Sequence, residues 1–267
     1  MRPLALALLV LSLAACESEP VVVDSSEALG DRLREQFERN VGSVEALSVA
    51  GAGVRADFRA SGDSGQARLV PTFVPVDSAS YEPQAAQLLT TYLPNVPGLA
   101  DALRSGTFVG ERRRDGRPAY VASTTDPAMT GGSADGVSRS ARVFVDPATF
   151  DVLEIEQSAR VDTFAQPITR RLVYEDFREV EGVRLPYRVR QLDRGQDQQL
   201  SESDLATRRV FLGGRLALER QQAEALPPGP ERDAAVARAT RALENLEAGV
   251  QEVVLTVDSV RVTRADR

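Results

Sequence analysis

The side chains that most enzymes use for acid–base or nucleophilic chemistry are almost absent from this chain. Its 267 residues include no histidine, all 32 basic residues are arginine, and the single cysteine is Cys16. Ser–His, Cys–His and Ser–Lys pairs, Schiff-base chemistry and histidine-bound zinc are therefore excluded. Paired carboxylates are the remaining catalytic option, because two acids can divide the roles of general acid and general base.

Glu154 and Glu156 are the clearest carboxylate pair, since alternate residues of a strand share one face of a sheet. Arg170, Arg188 and Arg190 lie on neighbouring predicted strands. Mixed charges on alternate positions are typical of the solvent-facing side of an antiparallel sheet. We therefore predict that the protein is not an enzyme, with no catalytic residue, no metal site and no cofactor.

The net charge of the chain argues against nucleic acid as a partner. Asp and Glu number 39 against 32 basic residues, which gives a formal charge of −7. Proteins that bind nucleic acid present a basic surface to the phosphates. We predict no nucleic-acid partner.

The N-terminus carries the pattern of an export signal. Arg2 precedes a nearly unbroken apolar run over residues 4–13. This run is too short for a transmembrane helix, which needs about 20 residues. Leu13-Ala14-Ala15-Cys16 then resembles the lipobox of bacterial lipoproteins.

In lipoproteins with that motif, the cysteine sulfur receives a diacylglycerol and the chain is cut before it. The resemblance implies a signal peptide over residues 1–15, a lipidated Cys16 and a tether over residues 16–24. Each acyl methylene buried in a bilayer contributes roughly 0.8 kcal/mol of binding free energy. Several acyl chains therefore hold a protein stably on the membrane. The alternative is an ordinary secretory signal with a chance cysteine.

The first part of the mature chain predicts a helix followed by strands. Leu29, Leu33 and Phe37 have helical spacing, which predicts a helix over about residues 25–43 with Asp24 as its N-cap. Residues 49–60 alternate as one half-buried strand. A second strand leads through Pro71 and Pro75 and must be irregular or at an edge. A second helical segment is predicted over residues 82–104, where apolar residues again have helical spacing.

The centre of the chain predicts antiparallel hairpins joined by short turns. The first has Asp115-Gly116 at its tip and pairs residues 107–113 with 117–124. The loop over residues 125–136 is rich in glycine, serine and threonine. The next strands are predicted over residues 139–145, 152–161, 167–177 and 183–192.

Two charged helices follow, over residues 201–226 and 231–247, before a final strand over residues 253–262. The break between the helices is Pro227-Pro228-Gly229-Pro230. The prediction is an α+β fold with one meandering antiparallel sheet. Residues 25–267 form a single domain, with a helical hairpin inserted at about residues 201–250.

Two segments resemble the LolA/LolB-like group, often called outer membrane lipoprotein-sorting proteins. Val143–Leu153 is a strand, Asp-Pro turn and strand, and Leu172–Tyr187 matches a Tyr-x-Asp-aromatic hairpin that ends in Pro-aromatic. The resemblance implies a half-barrel: a curved antiparallel sheet with helices on its concave side and an apolar cavity for acyl chains. A lipidated member is more similar to LolB, the membrane-anchored acceptor, than to LolA.

The apolar rows of the predicted strands are the candidate cavity residues, and for each of them a place in the core is the alternative. They are Val54, Ala56, Phe58, Val143, Val145, Leu153, Ile155, Leu172, Tyr174, Leu185, Tyr187 and Val189.

The combined prediction is a lipoprotein anchored to a membrane, most simply the outer membrane facing the periplasm. It would bind a lipid or an acylated protein and take part in its transfer or sorting. The alternative is a scaffold lipoprotein that uses the 201–250 hairpin, or the Arg112–Arg114 tip, to bind a periplasmic protein. The sequence leaves the ligand, the partner and the oligomeric state open.

Overall fold

The computed structural model describes residues 23–61, 68–77, 81–132 and 136–264. The signal peptide, Cys16 and all but the end of the tether lie outside these residues. Their roles therefore remain predictions.

The described chain forms one sheet of ten antiparallel strands. Along the sheet their order is β3, β2, β1, β10, β9, β8, β7, β6, β5, β4. The strands are β1 (Val44–Gly51), β2 (Val54–Ser61), β3 (Arg68–Pro75), β4 (Thr107–Arg114), β5 (Arg117–Thr124), β6 (Val137–Val145), β7 (Val152–Val161), β8 (Ile168–Val180), β9 (Val183–Arg194) and β10 (Val250–Arg264).

Helices lie between these strands. The α-helices are α1 (Ser26–Val41), α2 (Pro83–Gln87), α3 (Val96–Arg104), α4 (Pro127–Thr130), α5 (Glu202–Glu224) and α6 (Pro230–Glu247). Two short 3₁₀ turns cover Leu88–Thr91 and Gln196–Gln199.

The sheet curves around the first helices. One core cluster joins residues of α1, α3 and the Leu88–Thr91 turn to residues of β2, near one edge of the sheet, and β5, near the other. In a flat sheet those two strands would lie about 34 Å apart, at about 4.8 Å for each of seven steps. The α+β class and the half-barrel with helices on its concave side are confirmed.

The first helix is capped as a helix start requires, but by a different residue from the one predicted. The hydroxyl of Ser25 accepts a hydrogen bond from the backbone N–H of Ala28 at 3.1 Å. Asp24, the predicted N-cap, lies one position too early. Both residue types suit this role, so spacing alone does not decide between neighbours.

Gly30 allows α1 and α3 to approach closely. A Cβ atom at this position would lie 2.8 Å from the carbonyl oxygen of Ala100. A glycine in a helix interior lowers helix propensity by about 1 kcal/mol relative to alanine. Here that cost is offset by the packing of the two helices.

Replacing Gly30 by alanine is therefore expected to lower the free energy of unfolding by about 1–3 kcal/mol, because α3 must shift. Gly214→Ala is the matched control. It lies inside α5, nothing surrounds the position within 4 Å, and alanine there should add up to about 1 kcal/mol. Thermal unfolding followed by far-UV circular dichroism measures both. A loss of similar size in the two variants would contradict the packing explanation.

The strand predicted over residues 49–60 is instead a hairpin. Ala52 and Gly53 both have positive φ, 53° and 73°, and form a two-residue turn between β1 and β2. The apolar alternation continues through this turn, so the sequence pattern concealed it. Alanine rarely takes this conformation, which left Gly53 as the only local signal.

The remaining hairpins follow the predictions closely. Asp115-Gly116 and Glu181-Gly182 form the expected turns, each with positive φ at both residues. Strand β3 is at the edge of the sheet, as its prolines require. The two glycines at positions 213 and 214 do not interrupt α5, which is continuous over 23 residues.

Candidate functional site

The concave face of the sheet is covered by the helical layer. Leu29 and Leu33 of α1, Leu89 and Tyr92 of the following helical segment, and Leu103 of α3 are all at most 1% exposed. These side chains pack directly against the inward rows of the strands. The open apolar hollow implied by the family resemblance is therefore filled in this conformation.

A small cleft remains where the end of α1 meets the sheet. Its volume is about 70 Å³, against roughly 300–1,000 Å³ for typical ligand pockets. The main apolar side chains that line it are Leu33, Phe37, Val152, Tyr174, Phe177 and Leu185. The interior is mainly apolar, but its present volume is several times smaller than that of a typical ligand pocket.

The mouth of this cleft carries an ion pair. Arg184 Nε donates to Asp151 Oδ2 at 2.6 Å, and the guanidinium lies 5.5 Å from the ring centroid of Phe177. Asp151 is buried, whereas the side chain of Arg184 is 39% exposed. The cleft therefore combines an apolar interior with an Arg184–Asp151 ion pair at its edge, and the arginine of that pair is partly exposed.

Phe150 contributes to the same cleft from a strained backbone position. Its φ is 56°, in the left-handed region that bulky residues seldom occupy. The ring lies 6.3 Å from that of Tyr120 and faces the cleft. The turn between β6 and β7 thus holds an aromatic ring at the cleft rather than in solvent.

Two tyrosines attach the helical layer to the sheet beside the cleft. The hydroxyl of Tyr92 donates to the carbonyl oxygen of Pro186 at 2.7 Å, and that of Tyr174 donates to Thr91 at 3.1 Å. Burial raises the pKa of both phenols above the usual value, with Tyr187 adding to the effect at Tyr92. Both hydroxyls therefore stay protonated donors at neutral pH.

Most of the predicted cavity residues lie together in the core. Those in the main cluster are Val54, Ala56, Phe58, Val143, Val145, Ile155, Leu172, Tyr174, Leu185 and Val189, and Tyr187 packs against it half-buried. Of these, Tyr174 and Leu185 also line the cleft. The others lie in this core or pack against it, so their contact with a ligand remains a prediction.

Leu153 is a correction, because it lies on the opposite face of the sheet. It packs against a separate small cluster of Ala119, Val121 and Phe144. The register between β6 and β7 shifts at this point: Phe144 faces Glu154, whereas Val145 faces Val152. This β-bulge inserts one residue and turns Leu153 away from the row of Ile155.

Other cleft residues were missed by the sequence analysis, although some signal was present. Phe37 belongs to the apolar stripe of α1, and Phe177 and Pro186 belong to the hairpin motif that carries the family resemblance. Arg184 and Asp151 also lie within the two segments that carry the resemblance, but nothing in the sequence indicates that they pair. Their pairing depends on two turns that only the folded sheet brings together.

The geometry around Glu154 and Glu156 indicates a structural role for this carboxylate pair. Glu154 is only 1% exposed, a correction to the solvent-facing position predicted for it. Both of its oxygens accept hydrogen bonds from Arg171 and Arg114, at 2.7–3.0 Å. Burial alone would raise the pKa of Glu154, but these guanidinium groups outweigh it and hold the pKa below the usual value.

Comparison with known proteins adds little at the level of sequence. No family model matches the chain, and no curated protein matches it. Among solved structures, it is similar to a DUF1329 family protein from Desulfovibrio piger, with 11% identity, a TM-score of 0.40, and 90% of this chain and 94% of the other covered. A LolA superfamily protein from Nitrosomonas europaea has 12% identity and a TM-score of 0.37, with 91% and 96% covered.

The fold itself defines an α+β half-barrel: one curved antiparallel sheet closed on its concave side by helices. Within the residues described, no helix is both long and apolar enough to cross a membrane.

Proposed function

We propose that the protein is a lipoprotein of the bacterial cell envelope that binds an acyl chain beneath α1 and passes it on without chemistry. The bound acyl chain would belong to a lipid or to an acylated protein. Cys16 would carry the anchor, and the outer membrane facing the periplasm is the proposed location. The observation that carries the proposal is the cleft under α1, which is apolar inside and has Arg184 at its mouth.

Binding requires the cleft to enlarge, and the helical layer offers a way. Helices α1 and α3 are packed together at Gly30 and Ala100, so they can move as one unit. The polar bonds between the helical layer and the sheet include those of the two tyrosines and that of Ser26 with Gly106. Each is worth about 1 kcal/mol net, so an acyl chain that buries several methylenes can compensate for their loss.

The direct test uses the mature chain with Cys16→Ser, which removes the anchor and keeps the domain. We expect organic extraction followed by mass spectrometry to recover co-purified lipid or acyl-peptide, and a fluorescent fatty acid to bind with saturation. Recovery of no such ligand, together with no saturable binding of the probe, would overturn the proposal.

Placing a charge in the cleft should abolish this binding. Phe37→Glu puts a carboxylate in the apolar lining at a half-buried position that tolerates polarity. We expect the affinity for the fluorescent fatty acid to fall at least about tenfold.

Phe73→Glu is the matched control, because it makes the same change at an exposed phenylalanine of the edge strand β3. Its affinity should equal that of the parent chain. Equal binding by the two variants, with both folded by circular dichroism, would place the ligand elsewhere.

The filled concave face favours a second candidate function, that of a scaffold lipoprotein which binds a periplasmic protein. The α5–α6 hairpin would be the contact arm, since α5 packs mainly on α6 and exposes apolar side chains. Deleting residues 201–250 should then remove a co-purifying protein while leaving fatty-acid binding unchanged. In the carrier proposal, no such protein is required.

A further inference from the structure

Helix α5 presents an uncharged stripe to solvent. The exposed positions that share this face, three or four residues apart, are Val210, Phe211, Gly214, Ala217, Leu218 and Gln221. Val210 is 78% exposed, Phe211 71% and Leu218 53%. These side chains are among the most exposed large apolar groups of the described chain.

The charged residues of α5 lie beside this stripe or behind it. Arg209 and Arg215 flank it, with Arg215 paired to Glu219 at 3.3 Å, while Arg208 is turned toward Asp197 at 2.6 Å. Between Leu205 and Leu218 the helix contains arginines but no acid, although the chain as a whole is acidic. An apolar stripe bordered by cations is the pattern of a helix that lies in the head-group region of a bilayer.

The sheet places this helix at the same end as the start of the folded chain. The hydroxyl of Ser26, at the start of α1, donates a hydrogen bond to the carbonyl oxygen of Gly106, which directly precedes β4. Following the register from Thr107 of β4 across to β9 and β10 leads to Leu192 and Glu252, at the end of the strands where Arg194 and Val250 lie two residues further on. These are the residues where the α5–α6 hairpin leaves the sheet and returns to it.

The tether and helix α5 are long enough for the α5–α6 hairpin to contact the membrane that holds the anchor. Residues 17–22 separate a lipidated Cys16 from Val23, the first described residue, and the seven extended steps from residue 16 to residue 23 reach at most about 24 Å. Helix α5 has 23 residues and is about 35 Å long. Anchored at this end, the domain keeps the hairpin within reach of the bilayer surface.

We infer that the uncharged stripe of α5 docks into the surface of the bilayer that holds the lipid anchor. The inference rests on the proposed lipidation of Cys16 and not on ligand binding in the cleft. Val210, Phe211 and Leu218 enter the head-group region, and Arg209 and Arg215 contact lipid phosphates. Two attachments, the anchor and the stripe, then fix how the domain is oriented on the membrane.

The chain contains no tryptophan, so Phe211→Trp creates a single fluorescent reporter in the stripe. The full lipidated protein, with its acylation checked by mass, is reconstituted in vesicles of phosphatidylethanolamine and phosphatidylglycerol. We expect a blue-shifted emission that brominated acyl chains quench. Phe73→Trp is the control: Phe73 is 42% exposed on the edge strand β3, and a reporter there should be neither shifted nor quenched.

A second measurement removes the anchor. The Cys16→Ser chain with Phe211→Trp should bind the same vesicles weakly, and adding Leu218→Glu should lower that affinity at least about tenfold. A blue shift without bromolipid quenching that grows with protein density would show a second copy on the stripe and overturn the inference. An unshifted reporter on the vesicles would also overturn it, whatever the fatty-acid probe shows at the cleft.

Discussion

Replacing Tyr92 by alanine is expected to lower the free energy of unfolding by about 3–5 kcal/mol. Tyr92 is fully buried, its ring lies 6.3 Å from that of Phe58, and its hydroxyl is bonded to Pro186. The truncation leaves a cavity between the helical layer and the sheet and removes the hydroxyl donor to the carbonyl oxygen of buried Pro186. The free energy of unfolding of a domain is only about 5–15 kcal/mol, so Tyr92→Ala should remove a large part of it. Urea unfolding followed by far-UV circular dichroism measures the change.

Tyr92→Phe separates the hydrogen bond from the packing. It keeps the ring and removes only the donor to Pro186, so about 1–2 kcal/mol should be lost. Tyr81→Phe, at a tyrosine that is 50% exposed, should change nothing. A loss below about 1 kcal/mol for Tyr92→Ala would mean that the helical layer contributes little to stability.

The ionisation of Tyr92 adds a test at high pH. Because the pKa is raised in the fold above the usual 10.0, the unfolded chain ionises first as pH rises. The stability that this group contributes is therefore complete below pH 10 and falls above it. Tyr92→Phe should lose less stability than the parent chain between neutral pH and pH values above 10.

The sheet could be predicted from sequence where its signals are local. Alternation and turn residues identified the hairpins at Asp115-Gly116 and Glu181-Gly182, because a two-residue turn with positive φ favours these residue types. The prolines of β3 identified an edge strand in the same way. At Ala52-Gly53 the local signal was weak, and two strands were taken as one.

The candidate site was harder to predict because its shape depends on distant parts of the chain. The bulge that turns Leu153 outward arises from the register of β7 against β6, which alternation alone does not contain. Whether the concave face is open or filled depends on how the side chains of α1, α3 and the Leu88–Thr91 turn pack against strands that are distant in the sequence. The sequence therefore predicted the apolar rows but not the volume left between them.

The buried Glu154, which is ion-paired on the convex face of the sheet, leads to the second prediction of a large loss in the free energy of unfolding. Glu154→Gln keeps the size of the side chain but removes the charge that faces Arg171 and Arg114. Breaking a fully buried pair costs about 3–5 kcal/mol. Both guanidiniums here keep contact with water, at 27% and 31% side-chain exposure, so we expect about 2–3 kcal/mol.

Asp176→Asn is the control for Glu154→Gln. Asp176 pairs with Arg178 at 2.6 Å, but both side chains are about half exposed. Asparagine tolerates the positive φ of 53° at this position as well as aspartate does. Unfolding in urea at neutral pH should show no measurable change for Asp176→Asn. A loss as large as that of Glu154→Gln would mean that burial is not what makes Glu154 important.

The same ion pair predicts how stability responds to acid. The pKa of Glu154 is held below its usual 4.5 in the fold, so the unfolded chain takes up the proton first as pH falls. The contribution of Glu154 is therefore complete above pH 4.5 and decreases below it. Urea unfolding between pH 6 and pH 3 should show the parent chain losing more stability than Glu154→Gln. If the difference between the two stayed constant over this range, the charge on Glu154 would not be the source of the stabilisation.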